Sequence, residues 1–198
     1  LEGAESRNNL ASVLVQQGDL TGGVRLFREV LAAREARLRP HHPLVLRTRS
    51  NLGLALVRSG DPGSAERELT IAVDEWPAAF GPDHPGIVAA RISLAQAQRT
   101  LGRTSDALTT LAAARAWQEA PPGVPQGSVP ALAATDAHVG ATLAAAGREA
   151  EARVLLERVV PVLREGGSGY AGALKAAEAA LREITERAKQ VPATPPAP

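Results

Sequence analysis

The sequence predicts an all-α chain of stacked helical hairpins, and three observations predict it. Landmarks recur at a fixed 42-residue step: His42-Pro43 returns as His84-Pro85, Gly18, Gly60 and Gly102 are evenly spaced, and Asn9, Asn51 and Ser93 share one position. Self-similarity at such a period marks a repeat array, in which each unit buries its apolar face only against its neighbours. The composition agrees, since 44% of the 198 residues are hydrophobic but only 3% aromatic. Alanine is prominent and strand formers never cluster, as close-packed helices with small contact residues require. Within each step the apolar residues follow three-to-four spacing, the period of an amphipathic helix.

Repeat one occupies residues 1–42. Its first helix is expected to turn Leu10, Val13 and Leu14 inward and to stop at Gly18-Asp19, because glycine tolerates the left-handed dihedrals of a helix end. The second helix, about 20–38, carries Val24, Phe27, Val30 and Leu31 on one face. Arg39-Pro40-His41-His42-Pro43 then breaks the helix, since proline removes a donor and disfavours helical geometry in the residue before it. Leu1 aligns with Pro43 and the chain contains no Met. This predicts a piece cut from a longer protein at a repeat boundary, with further repeats or another domain before Leu1 and fraying from that end.

Repeat two, residues 43–84, holds the most diagnostic spacing: Leu52-Gly53, Leu56 three residues on, Ala65 and Leu69 four apart, then Pro77. Gly53 and Ala65 are small because two antiparallel helices come closest there and a larger side chain would force them apart. The echoes are Ala11 and Gly23-x3-Phe27, Ala95 and Ala107-x3-Leu111, and Gly140 and Ala152-x3-Leu156. This pattern resembles the tetratricopeptide repeat. With its 42-residue step, Gly81-Pro82-Asp83-His84-Pro85 and the Ser50-Asn51-Leu52-Gly53 helix, it is similar to the kinesin-light-chain type found in bacterial multidomain signalling proteins. The resemblance covers about residues 1–165 and implies a right-handed α-solenoid of antiparallel hairpins.

Repeat three spans 85–120. The step from Gly102 to Gly147 is 45 residues, so three extra residues fall in a Pro-rich link, 121–130, ahead of a degenerate fourth repeat at 131–165. Pro161 is expected to kink or end the last second helix, and Gly166-Gly167-Ser168-Gly169 to end it again. A capping helix at 170–189 places Tyr170, Leu174, Ala177, Leu181 and Ile184 along one stripe, with Glu178/Arg182 and Glu183/Arg187 as i,i+4 pairs outside. Residues 190–198, rich in Pro and Ala, read as a disordered tail.

Several functions are excluded. Twenty-two Lys and Arg against 21 Asp and Glu give a net charge of +1, which offers no electrostatic footprint for nucleic acid or an anionic membrane. No apolar run approaches the roughly 20 residues of a membrane span. Without cysteine there is neither thiolate catalysis nor Cys-ligated metal. His41 and His42 are adjacent on a loop and point apart, and no carboxylates converge on them, so no metal is expected. Neither G-x-S-x-G nor G-x-x-x-x-G-K-[ST] occurs, so the reading is of no enzyme and no cofactor. Trp76 and Trp117 fall near the ends of second helices, where a large ring is buried between repeats.

The resemblance implies that the first helices line a concave face. On that face lie Glu5, Asn8, Asn9, Ser12, Val15 and Gln16 from repeat one, and Arg47, Ser50, Asn51, Leu54, Val57 and Arg58 from repeat two. Repeat three contributes Ala89, Ile92, Ser93, Gln96, Arg99 and Thr100. Asn9 and Asn51 match the asparagines that hold an extended peptide backbone in related arrays, since an amide both donates and accepts. Arg47, Arg58 and Arg99 suit carboxylates. Repeat four offers Ala134, Ala137, His138, Ala141, Ala144 and Ala145, an apolar and shallow surface. The expected function is a cytoplasmic module binding a protein or an extended, acidic peptide. The alternatives are a regulatory segment of a larger Ser/Thr kinase or signalling ATPase that contacts its own catalytic domain, and a structural element that self-assembles through its ends.

Overall fold

The computed structural model describes residues 2–81, 84–119 and 128–190. Among them are nine α-helices, a short 3-10 turn at Ser168–Tyr170 and no strand. The chain forms two compact units, Leu1–Gln126 and Gly127–Pro198.

The first unit stacks three hairpins: α1 (Glu2–Gln17) with α2 (Leu20–Glu35), α3 (Pro43–Ser59) with α4 (Pro62–Phe80), and α5 (Gly86–Thr100) with α6 (Thr104–Gln118). Each first helix ends at a glycine with positive φ: Gly18 (92°), Gly60 (83°) and Gly102 (77°). Each turn is closed by the same bond, from Asp19 N to Leu14 O (2.9 Å), Asp61 N to Leu56 O (3.0 Å) and Arg103 N to Gln98 O (2.8 Å). An L side chain at those glycines would be strained, which is why this position keeps its residue type across the 42-residue step. The aspartates do a second task. Asp19 accepts from Gly22 N (2.9 Å) and Asp61 from Ser64 N (3.1 Å), capping α2 and α4.

The hairpins close on small residues. A Cβ on Gly53 would lie 2.3 Å from Leu69 Cγ, and Ala65 and Leu69 are fully buried. Gly23 meets Val15 in the same way, at 2.4 Å. Large residues fill the spaces left, so that Phe27, Leu31, Val45, Leu52, Leu56, Leu69 and Leu94 form one core running through the three hairpins. A second core gathers Trp76, Ile87, Val88, Ala90 and Ala114, where Trp76 stacks on Phe80 (centroids 4.6 Å apart) beside His84. His42 caps α3, its Nδ1 accepting from Leu44 N (3.1 Å), and Nδ1 of His84 accepts from Gly86 N (3.0 Å) where α5 begins.

The first helix departs from expectation. Its buried residues are Ala4, Asn8, Ala11 and Val15, whereas Leu10 and Val13 are 51% and 44% exposed. The helical period holds but its phase differs: Ala11 and Val15 face the core with Leu14 half-buried against it, as expected for Leu14, while Leu10 and Val13 look outward. Pro161 does not end its helix, which runs on to Glu165, and Pro77 likewise lies inside α4, which continues to Phe80. A proline lacks one N–H and so deletes a single intrahelical bond, which the flanking turns tolerate here.

In the second unit, α7 (Val129–Ala145) and α8 (Glu149–Glu165) form a hairpin closed by Gly147 (φ 78°) and by Arg148 N on Leu143 O (2.9 Å). Its close approach is Gly140 against Leu156, at 2.6 Å. Of the expected Pro-rich link, residues 121–127 lie outside the described residues, and Val129 and Pro130 belong to the first turn of α7. Ser128 caps that turn through Ala131 N (3.3 Å), and proline is tolerated there because its missing donor would have no intrahelical partner. The expected tail lies outside the described residues beyond Gln190, as do Pro82 and Asp83.

The helix α9 (Ala171–Gln190) packs on both α7 and α8, burying Ala173, Ala177, Ala180 and Ile184, with Leu174 and Leu181 half-buried. The expected i,i+4 pairs on it do not form. Glu178 instead binds Arg164 (2.8 Å) and Arg187 binds Glu149 (3.3 Å), both on α8. Tertiary partners win because they lie within reach at the edge of the packed stripe, and they tie the cap to the hairpin.

Candidate binding groove

The expected groove residues lie on α1, α3 and α5 of the first unit. Between α1 and α3 lies a pocket of about 200 Å³, lined by Ser12, Val15, Gln16, Phe27, Asn51, Leu54 and Arg58. Val15 and Phe27 form its apolar floor, both nearly fully buried. Leu54 is 39% exposed at the mouth. The polar rim comes from Asn51, which is half-buried, and Arg58, which is exposed. Neither side chain makes a hydrogen bond or ion pair among the described residues. An amide and a guanidinium held beside an apolar floor, with their donors unspent, can take a backbone and a carboxylate.

The structure brings Asn51, Leu54 and Arg58 together in this pocket, and the other residues expected to bind are not part of its lining. Arg47 is already engaged: its Nη2 donates to Glu5 Oε1 (2.8 Å). The second oxygen of Glu5 accepts from Arg34 Nη2 at 2.5 Å. Arg34 is 1% exposed and also reaches Leu44 O (3.0 Å) and Thr48 Oγ1 (2.5 Å). This buried cation was not anticipated. Its sequence signal was weak, an arginine on the apolar side of α2. Glu5 and Arg47 occupy the same repeat position 42 residues apart, so the mouth of the groove beside α1 is a built-in ion pair rather than a free arginine.

Asn9 is exposed on α1, clear of the pocket lining. Ser93 is buried and its hydroxyl donates to Ala89 O (3.0 Å) within its own helix, so it presents no free donor. Gln96 is half-buried and has a partner, whereas Arg99, also half-buried, has none among the described residues. Of the alanines expected to form the fourth repeat's surface, Ala145 is exposed and Ala134 half-buried. Ala137, Ala141 and Ala144 are buried, and Arg187 of the capping helix reaches Ala144 O at 3.4 Å. A larger hollow of about 430 Å³, lined by Leu20, Val24, Arg28, Leu56 and Asp61 among others, lies where α2 begins and α3 ends, and nothing in the residue pattern marked it. There Ser64 holds the Asp61 carboxyl below its ordinary value, through its hydroxyl first and its backbone N–H second. No group of three or more metal-ligating residues occurs among the described residues. No described helix is long and apolar enough to cross a membrane.

Comparison with known proteins bears on this architecture. The sequence matches the tetratricopeptide repeat family over residues 4–74 and again over 88–113. The chain carries tetratricopeptide repeats. Its fold is similar to two crystal structures from Podosopora anserina, described as kinesin light chain nearly identical TPR-like repeats. Each is 24% identical: the Q17M form covers 94% of this chain and 91% of its own with a TM-score of 0.68, and the other covers 94% and 97% with 0.67. BtubC (BKLC) from P. vanneervenii is 15% identical, with 98% of this chain and 68% of that one aligned at a TM-score of 0.68. No curated protein matches the chain. Tetratricopeptide repeats form a protein-interaction module of a kind that is typically non-catalytic, and the hairpins described above are of that kind.

Proposed function

We propose that the first unit binds an extended, acidic segment of a protein partner along α1, α3 and α5. The observation that supports this reading is the α1–α3 pocket, where Asn51 and Arg58 have no partner of their own beside an apolar floor. Asn51 holds the partner's backbone, Arg58 and Arg99 take its carboxylates, and Leu54 packs against an apolar side chain. Glu5, joined to Arg47, closes the α1 end of the groove to further acidic groups. The pocket is smaller than the roughly 300–1,000 Å³ of small-molecule sites, which suits a single side chain of a peptide better than a metabolite.

The experiment is affinity capture from a lysate with the wild-type chain and with Asn51→Ala, followed by titration of each purified partner against both. Asn51→Ala should leave the helical content intact and weaken binding by about 1–3 kcal/mol, the effect of leaving a buried polar group unpaired. Equal affinity for both forms removes the groove from consideration.

A further inference from the structure

The repeat symmetry of the first unit is broken on one side of α1. At the positions 42 residues beyond Ser6, Leu10 and Val13 stand Thr48, Leu52 and Ala55, which are 0–2% exposed. One step further stand Ala90, Leu94 and Ala97, which are buried as well. These i, i+4, i+7 sets each lie on one helical face. In α3 that face is covered by α2: Leu52 and Ala55 share a core with Leu26, Phe27 and Leu31. The polar contacts of that interface are equally specific. Arg34 of α2 donates to Thr48, and Glu35, the next residue, pairs with Arg49.

The same register on α1 is uncovered. Leu10 and Val13 are among the most exposed large apolar side chains of the described residues. Ser6 offers a hydroxyl in the place of Thr48. Arg7, in the place of Arg49, bonds only to Gly3 O (2.9 Å) and has no carboxylate partner among the described residues. The face thus repeats, group for group, one side of an interface that the same chain forms 42 residues later.

We propose that this outer face of α1 docks an amphipathic helix of a partner protein. That helix carries the pattern of α2: apolar residues over Leu10 and Val13, a long donor reaching Ser6, and an adjacent carboxylate for Arg7. This surface lies apart from the Asn51 pocket and its occupancy is independent of the groove.

The probe is a fluorescent peptide of the α2 sequence, residues 20–38, with Arg25 changed to Lys and joined by a lactam to Glu29. Those two positions are exposed in α2, and the lactam is needed because helices this short are marginal in water. Anisotropy with the whole chain should show saturable binding, weakened about tenfold or more by Leu10→Asp, as for the central apolar residue of an interface. Arg7→Glu should weaken it and a peptide with Glu35→Arg should restore it. Asn51→Ala in the groove and Val154→Asp, an exposed apolar site on the second unit, should change nothing. Leu10→Asp alters an exposed side chain, and an unchanged circular dichroism spectrum confirms the fold. Absence of binding, or equal binding by wild type and Leu10→Asp, overturns the proposal. So does a concentration-dependent dimer in sedimentation that Leu10→Asp abolishes, which would give the face to a second copy.

Discussion

Replacing Gly53 with alanine sets two opposed effects against each other, and the structure gives the sign. Alanine is the better helix former by about 1 kcal/mol, so at an unhindered helical site the change stabilises. At Gly53 the new methyl would lie 2.3 Å from Leu69 Cγ and 2.7 Å from its Cδ2, far inside contact distance. Leu69 is fully buried and has nowhere to retreat. Overpacking of this kind costs about 1–3 kcal/mol, so Gly53→Ala should destabilise by about 0–2 kcal/mol in spite of its propensity gain. The same reasoning makes the effect conditional on Leu69. Leu69→Ala alone should cost about 2–5 kcal/mol. In that background the methyl added at position 53 enters the vacated space, so Gly53→Ala should turn stabilising, by about 1 kcal/mol. The assay is urea denaturation of the four members of this double-mutant cycle, followed by tryptophan fluorescence, because Trp76 and Trp117 both lie in the first unit. A chain of two units need not unfold in one step, and this signal isolates the relevant one. Gly63→Ala in α4 of the same unit, where a Cβ meets nothing within 4 Å, is the control and should not destabilise. Additive effects in the cycle would refute the reasoning, since they would mean that residues 53 and 69 do not share the contact.

Other predictions probe caps and buried charge. Asp61→Ala should cost about 1 kcal/mol through loss of the α4 cap, and Asp61→Asn distinctly less. Because the folded carboxyl titrates below its ordinary 3.8, its contribution is complete above that value and fades as pH falls through the lowered one. The gap between wild type and Asp61→Ala should therefore be constant near neutrality and narrow only in acid; a gap that widens in acid would be contrary to the cap. Arg34→Ala should cost about 3–5 kcal/mol by opening a cavity and stranding its partners, whereas Arg34→Met, which refills the volume with apolar atoms, should recover most of that. Equal denaturation midpoints for the two variants would show that the charge, not the packing, is what matters at residue 34.

The repeat step, the hairpin turns and the small contact residues were all legible in the sequence, because each depends on local chemistry. Gly18, Gly60, Gly102 and Gly147 announce helix ends since few other residues adopt their dihedrals. Gly53 and Ala65 announce a close crossing since only small side chains fit one. The existence of helices required nothing more than the period of the apolar residues. What the tertiary structure alone decided were matters of phase and partner. A helical stripe shows that one face is apolar, but only the neighbour determines which face is covered: α1 turns Ala11 and Val15 inward and leaves Leu10 and Val13 out. A charged residue declares its sign but not its counter-ion, which is fixed by distance in space. Thus Glu178 and Arg187 pair with α8 rather than within α9, and Arg47 is taken by Glu5 while Arg58, eleven residues on, stays free in the pocket.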